Sequence, residues 1–252
     1  MNKHFFSDMG VMLGRSMRHI SRSMDTIITV TITPIALLLL FVYVFGGAIQ
    51  TGTDHYVNYL IPGILLIAIA SGISYTAYRL FLDKSKGIFE RFHTMPIARS
   101  TVLWGHVLTS LVSNAISVAV IILVALLMGF RSSAGVLSWL AVVGILMLFT
   151  LALTWIAAIA GLSAKSVDGV SAFSYPLIFL PFISSAFVPT ESMPWAVRVF
   201  AEHQPVTSIV ESIRALLSAQ PAGNEIWTAL AWCAGITVIA YFFAMKAYKK
   251  RL

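Results

Sequence analysis

Long apolar stretches follow one another along this chain and limit what it can fold into. A helix that crosses the hydrocarbon core of a bilayer needs about 20 mainly apolar residues. We predict six such helices, at about 26–45, 59–81, 102–130, 137–162, 170–187 and 227–247. Because only helices and closed barrels satisfy their backbone polar groups in lipid, the sequence predicts an all-α polytopic membrane protein.

Composition favours a membrane protein over a soluble one. Of the 252 residues, 58% are hydrophobic and 11% are charged, whereas a soluble domain is typically about 45–50% apolar and about 25% charged. A net charge of +7 would suggest a nucleic-acid partner in a soluble protein. Here the basic residues cluster between the apolar stretches, so we interpret the charge as a topology signal and predict no nucleic-acid partner.

The distribution of Lys and Arg also predicts how the chain is oriented. The segments predicted to face outside hold only Arg131, Arg198 and Arg214, and the other basic residues fall on the opposite side. By the positive-inside rule, we expect both termini to lie in the cytoplasm. In residues 1–25, apolar residues recur at helical spacing on one face and arginines on the other. This pattern predicts an interfacial helix among lipid headgroups. The predicted transmembrane domain follows over residues 26–252.

Residues 83–99, DKSKGIFERFHTMPIAR, form the largest charged interruption between two apolar stretches. They predict a short amphipathic helix that Pro96 ends, because proline disfavours helical geometry in the residue before it. The apolar face is formed by Ile88, Phe89 and Phe92. The polar face is formed by Lys86, Glu90 and Arg91. Such a helix docks on a membrane or a partner, and a solvated loop is the alternative interpretation.

The third and fifth predicted spans carry candidate cargo contacts. Polar residues recur at spacings of three and four along the third span, at Ser110, Ser113, Asn114 and Ser117. A polar stripe on a membrane helix faces a cavity or bonds to other helices. Both interpretations stay open at this point, as they do for the aromatic residues Phe173 and Phe179, which line a path or pack against neighbours.

Residues 189–223 are amphipathic but too polar to cross a membrane. They predict two short helices, at about 193–201 and 207–217, which Pro205 separates. Ser192 and Thr207 are the predicted N-caps of these helices, because their hydroxyls accept hydrogen bonds from free backbone N–H groups. We expect the pair to lie at the outer leaflet.

The chain shows no motif for catalysis or for nucleotide binding. The nearest string to a phosphate-binding loop, GLSAKS at 161–166, has Ala164 where the second glycine belongs and follows no predicted strand. The histidines are dispersed and suggest no metal site. The predicted span centres carry no Asp, Glu, Lys or Arg, which argues against a carrier coupled to protons or sodium. We predict no catalytic residue, metal site or cofactor in this chain.

Two strings resemble permease subunits of type-2 ABC exporters, especially the daunorubicin-resistance group. The string KGIFERFHTMPIARS is similar to the cytoplasmic coupling segment of that family, and residues 185–217 are similar to its extracellular segment before the last span. The coupling pattern of the family falls here on Asp83, Gly87, Glu90, Arg91, Pro96 and Arg99.

The resemblance implies a permease that works with a separate ABC ATPase subunit, which binds the ATP and Mg. A second copy of the chain, or a related permease, completes a path for a hydrophobic drug or lipid-like molecule. The ATPase-coupling residues are Lys86, Gly87, Phe89, Glu90, Arg91, Phe92 and Pro96. We expect Phe89 and Phe92 to be the anchors in an ATPase groove.

In the family a re-entrant helix pair closes the outer end of the pathway. The corresponding gate residues are Pro189, Pro194, Trp195, Pro205 and Arg214. Polysaccharide or lipid-linked glycan is an alternative cargo. A secondary carrier without an ATPase and an intramembrane enzyme that acts on lipid are alternative functions.

Overall fold

The structure is a computed structural model that describes Gly14 and residues 24–46, 56–89 and 99–249. In that part of the chain every regular element is helical. Apart from Gly14, Met24 and Asp25, the interfacial helix predicted for residues 1–25 lies outside the described residues, as do residues 90–98 of the predicted coupling segment 83–99.

Eight α-helices make up most of the described chain. They are α1 (Met24–Leu39), α2 (Tyr56–Ser85), α3 (Arg99–Leu127), α4 (Val136–Ser163), α5 (Val167–Phe179), α6 (Trp195–His203), α7 (Pro205–Leu217) and α8 (Glu225–Lys249). A π-helical turn, Leu40–Phe45, continues α1, and 3₁₀ turns at Leu180–Ile183 and Thr190–Ser192 follow α5.

Four of these helices, α2, α3, α4 and α8, are long and apolar enough to cross a membrane. Two shorter apolar stretches, Thr31–Phe45 and Val167–Ile183, lie where the first and fifth spans are predicted. The predicted all-α polytopic membrane fold is therefore confirmed, while the count of six spans stays a prediction.

Helix α2 is the element around which the bundle packs. It contacts α1, α3, α4, α5 and α7. The apolar core of α2 is 78% buried, against 22–39% for the other three long helices. Its sequence is almost wholly apolar from Leu60 to Ile73, and a helix that is hydrophobic all round is one that protein or lipid encloses.

Small residues let other segments approach α2 closely. A Cβ added to Gly161 of α4 would lie 2.7 Å from the carbonyl oxygen of Ala77, and one added to Gly63 would lie 2.7 Å from the Cβ of Ala186. Lipid tails are as apolar as leucine, so membrane helices associate mainly through such close backbone packing. These contacts set how near α4 and the segment after α5 come to α2.

The second helix of the polar segment begins earlier than the sequence predicts. Pro205 is the first residue of α7, where its missing N–H costs nothing, so Thr207 lies inside the helix and its hydroxyl donates to the carbonyl of Ala201. Ser192 donates to Pro189 at 2.7 Å, and neither α6 nor α7 has a side-chain N-cap. Both predicted caps were therefore wrong.

Replacing Gly161 with Ala tests the close contact between α2 and α4. The new Cβ would meet the Ala77 carbonyl at 2.7 Å and the Leu80 Cβ at 2.9 Å, so the helices must separate. We expect a loss of about 1–3 kcal/mol of stability, measured as a lower Tm in detergent. Gly144→Ala on the same helix is the control, because a Cβ there meets nothing within 4 Å. Equal melting of the two variants would contradict the close packing.

Candidate functional site

Helix α2 connects the two regions that the sequence singles out for function. Its 30 residues span about 45 Å. The predicted coupling segment, 83–99, begins at its C-terminal end, and α7 of the predicted gate segment, 189–217, packs on its N-terminal end. The two sites are therefore joined by a single enclosed helix.

Gly87 ends α2. Its φ angle is +66°, which glycine adopts without the steric cost that a Cβ imposes. Its N–H donates to the Lys84 carbonyl at 3.2 Å. Glycine in this left-handed conformation is a common helix terminator, so the glycine of the coupling pattern marks where the helix stops and the coupling segment starts.

Lys84 ties the C-terminal end of α2 to the C-terminal end of α4. Its Nζ donates to the carbonyl of Leu162 at 2.9 Å and to that of Ala164 at 2.7 Å. The last carbonyls of a helix lack partners within the helix and attract a cation. Sequence reasoning missed this role, although a lysine in the last turn of a long span is the pattern that suggests it.

Two more side chains fasten the same end of α2 to other helices. Asp83 Oδ2 lies 3.2 Å from Nε2 of His106, near the start of α3. Phe89 packs edge-on against Tyr248 of α8, with 5.9 Å between ring centroids. We call Asp83, Lys84 and Phe89 the root cluster, because together they join the base of the coupling segment to α3, α4 and α8.

The position of Phe89 corrects the sequence-based expectation. We predict it as an exposed anchor, but its side chain is only 8% exposed and belongs to a core cluster with Tyr248. An amphipathic pattern shows which side chains are apolar, not whether they face a partner or their own bundle. Lys86 is exposed, and Glu90, Arg91, Phe92 and Pro96 lie outside the described residues.

The polar stripe of the third span lies between helices. Ser110 Oγ is 3.1 Å from the hydroxyls of both Thr76 of α2 and Thr154 of α4, and Asn114 donates to the Ser110 carbonyl at 2.9 Å. Ser110, Asn114 and Ser117 are buried. These contacts fit the interhelical interpretation, and a role of the stripe in a cargo path stays a prediction.

The hydroxyl of Ser113, the remaining member of the stripe, is buried and has no hydrogen-bond partner among the described residues.

Phe179 lies at one end of a row of phenylalanines. It is 58% exposed and contacts Phe182, whose ring stacks on Phe187 at 4.8 Å. Phe187 in turn stacks on Phe41 at 4.7 Å. Sequence reasoning missed Phe182 and Phe187. Phe173, the other candidate on α5, is half-buried.

Four of the five predicted gate residues lie at bends or ends of the gate segment. Pro189 and Pro194 flank the second 3₁₀ turn, Trp195 begins α6 and is 80% exposed, and Pro205 begins α7.

Arg214, the fifth predicted gate residue, is different because it contacts other elements directly. Its guanidinium lies 3.7 Å from the ring centroid of Tyr59 on α2.

The described helices thus form a polytopic helical membrane protein. The predicted coupling segment leaves the bundle at the C-terminal end of its central helix, α2. The family model described as ABC-2 type transporter matches residues 8–218, and the chain belongs to this family.

Curated relatives agree with this assignment. The chain is 28% identical to the daunorubicin resistance ABC transporter permease protein DrrB1 of Streptomyces coeruleorubidus, over 89% of this chain and 80% of that protein. It is 26% identical to the probable doxorubicin resistance ABC transporter permease protein DrrC of Mycobacterium tuberculosis, over 87% and 80%. It is 24% identical to the putative transport permease ycf38 of Cyanophora paradoxa, over 85% and 75%. The predicted resemblance is confirmed, and the chain is the transmembrane subunit of an ABC transporter, a family that works with a partner ABC ATPase.

Replacing Lys84 with Met tests the root cluster. The substitution keeps the apolar stem but leaves the Leu162 and Ala164 carbonyls without their charged donor, which costs about 1–3 kcal/mol. We expect a lower Tm in detergent. Lys165→Met is the matched control, because Lys165 is exposed beside Ala164 and should leave the Tm unchanged. Equal Tm values for Lys84→Met and Lys165→Met would contradict the role of Lys84.

Proposed function

We propose that this chain exports a hydrophobic or amphipathic molecule, a drug or a lipid-like compound, across a bacterial plasma membrane. ATP hydrolysis in a separate ABC ATPase subunit drives the transport, and this chain supplies no catalytic residue. Membership of the ABC-2 family and the names of the daunorubicin and doxorubicin resistance relatives support this proposal. The absence of acidic and basic residues from the predicted span centres suits an apolar cargo.

The contacts of the root cluster are the main support for the coupling mechanism that we propose. The ATPase docks on residues 86–96, with Glu90, Arg91 and Phe92 at the contact. Because α2 is enclosed by its neighbours and the coupling segment continues directly from its end at Gly87, a displacement of this segment is passed to α2. Lys84 and Asp83 pass the same displacement to α4 and α3.

Phe89 has a different role from the other coupling residues in this mechanism. It is held against Tyr248 and acts as a positioning residue that carries the motion to α8. Aromatic pairs in this geometry contribute about 0.5–1.5 kcal/mol beyond the area that they bury.

Two copies of the chain, or one copy with a related permease, form the pathway. Apolar side chains on the exposed faces of α5 and α8 are available to the second copy and to membrane lipid. They include Tyr175, Phe179, Trp232, Phe242 and Phe243. Both termini lie in the cytoplasm, and the gate segment over 189–217 closes the outer end.

Transport by reconstituted protein tests this function. The permease and its ATPase, together in proteoliposomes, should accumulate a fluorescent planar hydrophobic drug when ATP is present. The double variant Glu90→Ala with Arg91→Ala should lower transport-coupled ATP hydrolysis about tenfold, because it removes the equivalent of one strong interfacial contact. Membrane insertion should be unaffected. Glu225→Ala, at the exposed start of α8, is the control. Vectorial transport by the permease alone would refute the proposal.

A double-mutant cycle tests the positioning role of Phe89. Phe89→Leu and Tyr248→Leu should each lower the ratio of transport to ATP hydrolysis, and the double variant should be no worse than either single variant, because both remove the same contact. The measurement is drug transported per ATP hydrolysed. Additive losses would show that the two rings act independently.

A further inference from the structure

Residues 184–188 form an irregular segment against the N-terminal end of α2. They follow the 3₁₀ turn Leu180–Ile183 and contain no regular helix. Ser184, Ser185, Ala186 and Phe187 are buried. Buried backbone carbonyls need hydrogen-bond donors, and irregular backbone at membrane depth is tolerated only where protein or a water-filled cavity satisfies it.

Side chains from other elements supply these donors. The Tyr56 hydroxyl donates to the Phe187 carbonyl at 3.2 Å, and the Tyr59 hydroxyl donates to the Ser185 carbonyl at 3.0 Å. Arg214 Nη2 donates to the same Ser185 carbonyl at 2.8 Å. The segment is thus bound to α2 and α7 through its backbone.

Arg214 makes the central contact among these three elements. Besides the Ser185 carbonyl, Nη2 contacts the Tyr59 carbonyl at 3.2 Å, and Nη1 pairs with Glu211 at 2.7 Å. The guanidinium stacks over the Tyr59 ring, and the side chain is only 15% exposed. A cation held over an aromatic face binds more strongly once it is removed from water.

Three polar atoms of α7, residues 184–188 and the residue before α7 are buried without hydrogen-bond partners in the part of the chain that the structure describes. They are Arg214 Nε, Ser185 Oγ and Gln204 Oε1. An unpaired buried polar group is unfavourable, and hydration would relieve it once the elements separate. This arrangement is therefore stabilised by hydrogen bonds and a cation–π contact, while its unpaired buried groups favour separation of the elements.

We propose that Arg214 is a latch that holds α7 and residues 184–188 on α2 in the resting transporter and releases them when this end opens. The inference rests on the proposed function, since the opening is the step that lets cargo leave. In this latch, the ring of Tyr59 and the carbonyl of Ser185 are the groups that Arg214 binds.

Hydrogen–deuterium exchange tests the latch in the complete complex. The permease and its ATPase in lipid nanodiscs are compared without nucleotide and after trapping with ATP and vanadate. In the wild type, exchange at residues 184–188 should rise about tenfold on trapping. In Arg214→Gln it should be at the trapped rate already without nucleotide, while exchange at residues 61–77 stays unchanged.

Conservative variants and a matched control separate the latch from general damage. Arg214→Lys keeps the charge but lacks the planar fork that stacks and bonds at once, so it should behave like Arg214→Gln. Tyr59→Phe removes only the hydroxyl and should give about a threefold rise. Arg198→Gln is the control, because Arg198 pairs with Glu202 at 2.7 Å on the exposed helix α6 and should match the wild type.

Three results would overturn the latch. One is equal exchange at 184–188 in the wild type with and without nucleotide. Another is a wild-type rate of exchange at 184–188 in nucleotide-free Arg214→Gln and Arg214→Lys. An equal rise at residues 61–77 in these variants would also overturn it, because the effect would then be general. Drug transport in matched proteoliposomes tests the proposed function separately. An exchange response without transport refutes the cargo and keeps the latch, and transport without the response refutes the latch alone.

Discussion

The enclosure of α2 is the constraint on which the rest of the structure depends. A helix buried along most of its length cannot shift without moving the helices around it, because close-packed interiors transmit displacement. Gly63 and Gly161 bring neighbouring backbone within contact distance of α2. The other helices are therefore packed around α2 as a common axis. The root cluster lies at one end of α2, and Arg214 contacts the other end.

Polar contacts give this apolar bundle its register. Van der Waals packing between hydrophobic surfaces tolerates rotation and sliding, whereas hydrogen bonds do not. The bonds of Ser110 to Thr76 and Thr154 fix α2, α3 and α4 relative to one another, and Lys84 fixes the ends of α2 and α4. Interhelical hydrogen bonds in membranes contribute modestly to stability, about 0.6 kcal/mol on average, so their main effect here is on geometry.

The sequence predicted most of the helices because apolar length is a direct requirement of the bilayer. The family pattern pointed to Gly87 and Arg214, and the structure shows that Gly87 ends α2 and that Arg214 stacks on Tyr59, while their roles in coupling and gating stay predictions. It did not reveal that Phe89 faces Tyr248, since the two residues are far apart in the chain and only the packing of α8 brings them together. The hydroxyl of Thr207 predicts an N-cap at that position, whereas α7 begins at Pro205, because proline is favoured at the first position of a helix.

Recognition of residues 184–188 through their backbone has an evolutionary consequence. The carbonyl of Ser185 is the acceptor for Tyr59 and Arg214, and any amino acid presents the same carbonyl. The bonds to Tyr59 and Arg214 therefore place no demand on the side chain at position 185, which is limited only by the space available to a buried residue. Sequence divergence at this position is compatible with an unchanged closure.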